Sequence, residues 1–295
     1  MVNLAAGHGR CAKLAPAALE RLRAQGLSID LRYTQSAGDG TRLAAQALAE
    51  GFRRFLVVGG DGTTFEVLNG VAQQLGATDP AERVTLGFLP LGTGNSFLRD
   101  FGDGRADTAA AAILQGRARA CDAVRVTHRT GVLHYLNLLS FGFVADVCTL
   151  TNHRFKPFGA AGYGLGVVGT LAQLHSRPVK MRLDGGALWE QDATFVSINN
   201  SRYTGGSMMM APYADTADGQ LDVVVCGKMG RLTLLETFPK IFSGNHVHHH
   251  AVTASRARVI EFFEDGPVDL MIDGEVLRYQ PQRVEVLSGA LDVLV

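Results

Sequence analysis

The stretch that decides the fold is residues 55–70, which read FLVVGGDGTTFEVLNG. It begins with an unbroken apolar run, Phe55 to Val58, which is typical of a strand buried on both faces of a parallel sheet. Glycines on both sides of Asp61 then lead into a segment with helical spacing. Such a turn presents backbone N–H groups at a helix N-terminus, where phosphate binds. The stretch therefore predicts a phosphate-binding turn in an α/β domain.

The same alternation of helix and strand continues on both sides of this stretch. The predicted helices are Leu14 to Gln25, Thr41 to Arg54, Thr64 to Leu75 and Ala106 to Leu114. The predicted strands are Leu27 to Tyr33, Phe55 to Val58 and Thr85 to Leu89. Alternation of this kind predicts a parallel sheet with helices on both faces. Ligands of such sheets bind beyond the carboxyl ends of the strands.

After about residue 120 the pattern changes to short strands separated by tight turns. Hairpin signals occur at Asp184-Gly185-Gly186 and at Asp265-Gly266-Pro267, and one helix is predicted from Leu232 to Phe242. We therefore predict an α/β nucleotide-binding domain at residues 1–120. A mainly antiparallel, β-rich second domain is predicted at residues 121–295, and its last residues are candidates for a return to the first domain.

Composition excludes several classes of function. Lys plus Arg and Asp plus Glu number 28 each, so no overall basic field favours nucleic acid or anionic lipid, and any membrane contact must come from local patches. The longest uncharged stretch, Phe158 to His175, contains five glycines and Gln173, so we expect an amphipathic helix there and no transmembrane segment. Four cysteines without C-x-x-C spacing and no basic-then-apolar leader predict reduced thiols, no signal peptide and a cytoplasmic location.

A second glycine-rich loop follows the third predicted strand. Residues 86–95 read LGFLPLGTGN, an apolar strand before a loop punctuated by Pro90, with Thr93 and Asn95 as polar groups facing a ligand. Because both loops follow parallel strands, they fall at the same edge of the sheet. Together they predict a cleft.

These strings resemble a known family. GGDGTTFEVLNG at 59–70 is similar to the signature of the diacylglycerol kinase catalytic domain, although its core is shared with NAD kinases and phosphofructokinases. PLGTGN at 90–95 resembles the P-x-G-T-x-N-D segment of lipid kinases and differs from that of NAD kinases. Asp273-Gly274-Glu275 resembles their D-G-E motif. The resemblance covers nearly the whole chain and implies a β-sandwich-like second domain. It also implies an ATP- and Mg²⁺-dependent lipid kinase that phosphorylates a primary hydroxyl of diacylglycerol or a sphingoid-like lipid.

The resemblance also implies roles for individual residues. Glu275 matches the family's base, and Asp61 is expected to be catalytic, near the metal. The residues implied to contact ATP are Thr34, Gly59, Gly60, Gly62, Thr63, Glu66, Gly92, Thr93 and Asn95. A structural Mg²⁺ is implied at Asp215, Asp218 and the carbonyl of Gln220. Without the resemblance, Asp215-x-x-Asp218-Gly219 is equally well an Asx-type surface turn.

Three departures from the family pattern keep alternatives open. Phe65 stands where an Asn is common, Ser96 stands where many relatives have Asp, and the chain begins MVNLAAG instead of with an apolar strand and N-P-x-x-G. We therefore expect the first strand to be nearly absent. One alternative, motivated by these departures, is an inactive nucleotide-binding module. The other is a NAD kinase-like enzyme acting on a soluble acceptor, because NAD kinases share the loop Gly59 to Thr63. The partner implied by the resemblance is a lipid at the membrane surface, and a homodimer stays open.

Overall fold

A computed structural model describes residues 1–150, 165 and 168–295 of the chain. Its α-helices are α1 Arg10–Ala24, α2 Asp39–Ala49, α3 Asp61–Gly70, α4 Ala106–Gln115, α5 Phe143–Leu150 and α6 Arg231–Thr237. Its strands are β1 Arg54–Gly59, β2 Thr85–Pro90, β3 Ala118–His128, β4 Gly131–Tyr135, β5 Leu138–Gly142, β6 Arg177–Leu183, β7 Leu188–Asn199, β8 Tyr203–Thr204, β9 Met208–Met209, β10 Leu221–Gly227, β11 Val252–Ala257, β12 Val259–Phe262, β13 Val268–Ile272, β14 Glu275–Tyr279 and β15 Pro281–Leu294. The chain divides into two compact units, residues 1–123 with 287–295 and residues 124–286.

Unit 1 is built on parallel strands. β1 pairs with β2 along its whole length, from Arg54 opposite Thr85 to Gly59 opposite Pro90. The end of β15 pairs in parallel with the other edge of β2. A buried cluster holds α1 and α4 on one face of these strands, with Val58 and Leu89 at its centre, while α3 packs against β1 and α2.

The last residues of the chain are fixed in unit 1 by charge. The guanidinium of Arg83 lies 2.7 Å from the carboxylate of Asp292, and the backbone N–H of Gly289 donates to Asp122 at 2.6 Å. β15 begins in unit 2, where it pairs with β12. Its last residues lie in unit 1, where these contacts hold them.

The first strand is reduced to one bridge residue. Val2 forms parallel bridges with both Val58 and Tyr33, and its N–H donates to the carbonyl of Arg32 at 2.8 Å. The alternation of Leu27 to Tyr33 predicted a full strand, but only Tyr33 takes part in a bridge. The strand at the start of the chain is thus nearly absent, as expected. Val2 and its neighbours nevertheless still cover the edge of the sheet.

Unit 2 is antiparallel. Its central strand is β7, which pairs with β6 through its first half and with β5 and β10 through its second half. β13 and β14 form a hairpin next to β5. β7 therefore links β5, β6 and β10 into one continuous, mainly antiparallel sheet.

Other local predictions were right in kind and shifted in extent. α2 ends at Ala49, five residues before the predicted end, and α3 begins at Asp61, three residues early. The helix predicted from Leu232 to Phe242 is α6 followed by a 3₁₀ helix, Phe238–Ser243. Half of the helix predicted at 158–175 lies outside the described residues, and the described part includes a 3₁₀ helix, Leu171–Gln173. Among the helices that the structure describes, none combines the length and apolar character needed to cross a bilayer.

Candidate active site

The first glycine loop lies at the carboxyl end of β1. β1 ends at Gly59 and α3 begins at Asp61, with the extended residue Gly60 between them. A Cβ on Gly60 would lie 2.8 Å from the carbonyl oxygen of Gly94, so only glycine fits there. Gly62 and Thr63 fall in the first turn of α3, where backbone N–H groups have no partner within the helix.

The second glycine loop follows β2 and contacts the first backbone to backbone. The N–H of Gly92 donates to the carbonyl of Gly59 at 2.8 Å, and the N–H of Asp61 donates to that of Gly94 at 3.1 Å. A Cβ on Gly92 would lie 2.5 Å from the Cα of Gly60. The two loops therefore lie side by side within unit 1, and a small pocket between them is lined by residues of both, among them Gly59, Gly60, Asp61, Thr64, Pro90, Asn95 and Phe97.

The carboxylate of Asp61 holds the second loop. It accepts the backbone N–H of Ser96 at 3.1 and 3.2 Å, together with hydrogen bonds from the Ser96 hydroxyl and the Phe97 N–H. Burial raises the pKa of Asp61 to about 6, although these hydrogen bonds act in the opposite direction. Ser96, the departure from the family's Asp, thus places a donor rather than a second carboxylate beside Asp61.

Glu66 caps a neighbouring helix. Its carboxylate accepts the backbone N–H groups of Gly38 at 2.7 Å and Gly40 at 2.8 Å. α2 has no side-chain cap of its own, so Glu66 supplies one from α3. The loop that Glu66 anchors follows Thr34, whose N–H donates to the carbonyl of Val2 at 3.0 Å.

Thr93 is exposed at the tip of the second loop, and the Asn95 amide donates to the carbonyl of Gly92 at 3.1 Å.

Two residues near the chain start were missed by the sequence reasoning. The amide of Asn3 donates to the hydroxyl of Thr63 at 3.1 Å. The guanidinium of Arg10 donates to the carbonyls of Leu91 and Gly92 in the second loop. Gly7 and Gly9, which precede α1, were the available signal, because a glycine-rich segment before a helix is itself typical of an anion site.

In unit 2 the Asp273-Gly274-Glu275 motif forms the turn between β13 and β14. Asp273 and Gly274 have φ values of 48° and 90°, as a two-residue type I′ hairpin turn requires. The buried carboxylate of Asp273 accepts the N–H groups of Leu136, Asn137 and Leu138, each at 3.0 Å. Glu275 is exposed at the start of β14. The turn thus presents one carboxylate to solvent and uses the other to hold β5.

The predicted metal ligands lie in one turn before β10. Oδ1 of Asp215 accepts the N–H of Ala217, and Oδ1 of Asp218 accepts the N–H of Gln220, both at 3.0 Å. These oxygens and the Gln220 carbonyl are the hard donors that Mg²⁺ takes, so the donor chemistry fits. No cluster of three His, Cys, Asp or Glu side chains suited to a metal occurs in the part of the chain that the structure describes.

A guanidinium lies beside this turn. Nη1 of Arg256 lies 3.6 Å from Oδ2 of Asp218, and its Nε lies 3.6 Å from Oδ1 of Asp222. Its Nη2 donates to the carbonyl of Tyr213 at 2.6 Å. Burial raises the pKa of Asp222, against the attraction of Arg256. A cation bound at Asp218 would therefore compete with Arg256 for the same carboxylate.

Comparison with known proteins identifies the family to which each part of the chain is similar. The family model of the diacylglycerol kinase catalytic domain matches residues 1–126, and that of the YegS C-terminal NAD kinase beta sandwich-like domain matches residues 137–295. These matches define the class of this protein, a kinase with a diacylglycerol kinase catalytic domain. The predicted fold class, an α/β domain followed by a β-sandwich-like domain, is confirmed.

Individual relatives span the whole chain. A diacylglycerol kinase of Mycobacterium tuberculosis (strain CDC 1551 / Oshkosh) is 31% identical over 100% of this chain and 93% of its own length. A probable lipid kinase YegS-like of Pseudomonas fluorescens is 31% identical over 94% of this chain and 89% of its own. The crystal structure of a putative diacylglycerol kinase from Bacillus anthracis superposes with a TM-score of 0.78 at 25% identity, covering 99% of this chain and 94% of that one. The chain belongs to the family of diacylglycerol kinases and YegS-like lipid kinases.

Proposed function

We propose that this lipid kinase transfers the γ-phosphoryl group of ATP to a primary hydroxyl of a lipid, diacylglycerol or a sphingoid-like base. The observation that carries the proposal is the direct backbone contact between the two glycine loops at the N-terminus of α3. Phosphoryl transfer depends mainly on positioning and on neutralising charge, and glycine loops at a helix N-terminus serve both.

In this proposal the nucleotide phosphates bind unit 1 at Gly59, Gly60, Gly62 and Thr63 and at Gly92, Thr93 and Asn95. Thr34 and Glu66 lie beside the nucleotide, because Thr34 precedes the loop that Glu66 anchors. Asp61 keeps the second loop against the first through Ser96. Asp215, Asp218 and the Gln220 carbonyl would hold a structural Mg²⁺, and Mg²⁺ bound with ATP would supply positive charge for the phosphates.

Glu275 is the proposed general base. Its carboxylate accepts the proton of the lipid hydroxyl while that oxygen forms a bond to the γ-phosphorus and the bond from phosphorus to the ADP oxygen breaks. The support is its exposed position on a turn that Asp273 fixes with three hydrogen bonds. We place the enzyme in the cytoplasm, at the membrane surface during turnover.

A soluble acceptor is the second candidate. The family model that matches residues 137–295 is described as an NAD kinase beta sandwich-like domain, so NAD is the acceptor to compare.

The purified chain is incubated with labelled ATP and Mg²⁺ and with detergent-dispersed diacylglycerol, a sphingoid base or NAD. We expect labelled lipid, and a loss of at least about 100-fold for Glu275→Gln. The matched control is Glu190→Gln, an exposed glutamate of the same unit, which should keep its rate. Label on NAD alone, or equal rates for the two variants, would show the assignment to be wrong.

A further inference from the structure

Among the described residues of unit 2, α6 and the 3₁₀ helix that follows it carry an exposed apolar stripe that the proposed function does not use. Leu232, Leu235 and Phe242 are 77%, 43% and 46% exposed. Leu232 and Leu235 are one turn apart, and Phe242 follows two turns later on the same side, with the exposed Pro239 between Leu235 and Phe242. Exposed leucines and phenylalanines scattered singly need no explanation, whereas a continuous stripe marks an interaction surface.

The opposite side of the same segment is already buried. Leu234 and Ile241 are 7% exposed and pack in a cluster with Met208, Met210 and Val224. The core therefore needs only one face of this segment, and its packing does not account for the apolar residues on the other face. A surface helix of a protein that stays in water normally carries polar residues there.

The charges on this segment favour an anionic partner. Besides its histidines, residues 228–250 contain three Lys or Arg side chains, the exposed Lys228, Arg231 and Lys240, against one acidic side chain, Glu236. The whole chain has equal numbers of both signs. Arg231 is fixed at the start of α6, because its guanidinium donates to the carbonyl of Ala172 at 2.9 Å.

We infer that the stripe Leu232, Leu235 and Phe242, with its basic flank, is the surface by which this protein lies on an anionic lipid bilayer. A helix with apolar residues on one face and Lys or Arg beside them lies in the interface, with its apolar side chains between the headgroups and the acyl chains. The choice of a bilayer rests on the proposed lipid acceptor, which resides in one. A second copy of the chain is a poor fit, because three partly exposed side chains offer far less than the about 800 Å² per partner of a stable interface.

Binding to vesicles tests the surface directly. The full chain is sedimented with vesicles of phosphatidylcholine alone or of an equimolar mixture with phosphatidylglycerol. We expect binding to the mixture, weakened by salt, and a loss of tenfold or more when Leu232, Leu235 and Phe242 are all changed to Ser. Lys228→Gln and Lys240→Gln should each weaken binding by roughly fivefold. The matched control is Val132→Ser with Leu188→Ser, two side chains of similar exposure in β4 and β7.

A fluorescent label locates the contact independently of affinity. The four native cysteines are buried, so an environment-sensitive thiol label reacts with an introduced one. At Leu232→Cys the emission should shift to the blue with anionic vesicles, and at Leu188→Cys it should not.

The outcomes separate this inference from the proposed function. A wild-type chain that phosphorylates detergent-dispersed lipid but leaves anionic vesicles unbound would overturn the surface alone. Equal binding by the stripe and control variants, or a dimer in solution that the stripe substitutions dissolve, would overturn it as well. Vesicle binding by the stripe without lipid phosphorylation would support the surface and refute the proposed function.

Discussion

The two units form their candidate sites from different parts of the chain. In unit 1 the site is made of backbone, since Gly60 and Gly92 let two loops touch at distances that no Cβ would allow. In unit 2 it is made of carboxylates on turns, and neighbouring acids have opposite uses, as Asp273 and Glu275 show. A glycine motif can therefore be recognised from its string, whereas an acidic motif has to be resolved residue by residue.

Among the substitutions that test this contrast, Asp273→Ala is expected to have the largest effect. Its three backbone donors would lose their acceptor in a buried position, so we expect the free energy of unfolding to fall by about 3 kcal/mol or more. Urea denaturation measures the change. Glu275→Gln, two residues away and exposed, should stay within about 0.5 kcal/mol of the wild type. Equal stabilities for the two variants would mean that both acids play the same part.

Gly92→Ala tests the backbone contact between the two loops of unit 1. The new Cβ would contact the Cα of Gly60, and separating the two loops should cost about 2 kcal/mol and weaken nucleotide binding. Thermal unfolding with and without ATP measures both effects. The control is Gly266→Ala, where an added Cβ meets nothing within 4 Å. If both variants bound ATP like the wild type, the close approach of the loops would have no bearing on the site.

Glu66→Ala tests whether this side chain of unit 1 stabilises the loop and the helix N-terminus that it contacts. Loss of the trans cap on α2 should cost about 1–2 kcal/mol, the usual range for a helix cap. Hydrogen exchange at Gly38 and Gly40 should rise together with the loss of stability. Glu20→Ala, an exposed glutamate on α1, should change neither quantity, and protected amides in the Glu66 variant would contradict the cap.

The smallest predicted effect concerns a buried imidazole of unit 2. His246 donates from Nε2 to the carbonyl of Met210 at 3.1 Å, and burial lowers its pKa from 6.5 to about 4. The unfolded chain therefore binds more protons than the folded chain between these values, so stability falls as pH falls through this window.

Between pH 7 and pH 5.5 this group alone should cost about 1 kcal/mol. His246→Gln should flatten the dependence of unfolding free energy on pH by that amount. Asn245→Gln, at an exposed neighbouring position that carries no titratable group, should keep the slope of the wild type. An unchanged slope in the His246 variant would show that His246 is not held neutral.

Much of the fold followed from local patterns. The apolar run of β1, the glycine turn and the helix α3 are consecutive in the chain, and their periods and glycine content specify them directly. The extents were less accurate, because packing decides where a helix ends. Leu27 to Tyr33 alternates like a strand, yet it reaches only one bridge at Tyr33.

By itself, the sequence determined the family, the two glycine loops and the order of the motifs, because these depend on residues that are neighbours along the chain. Tertiary structure decided how the side chains are used. Asp273 is 136 residues from Asn137, Glu66 is 28 from Gly38, and Arg10 is 82 from Gly92. Such contacts form only when distant segments pack, so no local pattern could have told the buried, loop-holding carboxylates from the exposed Glu275.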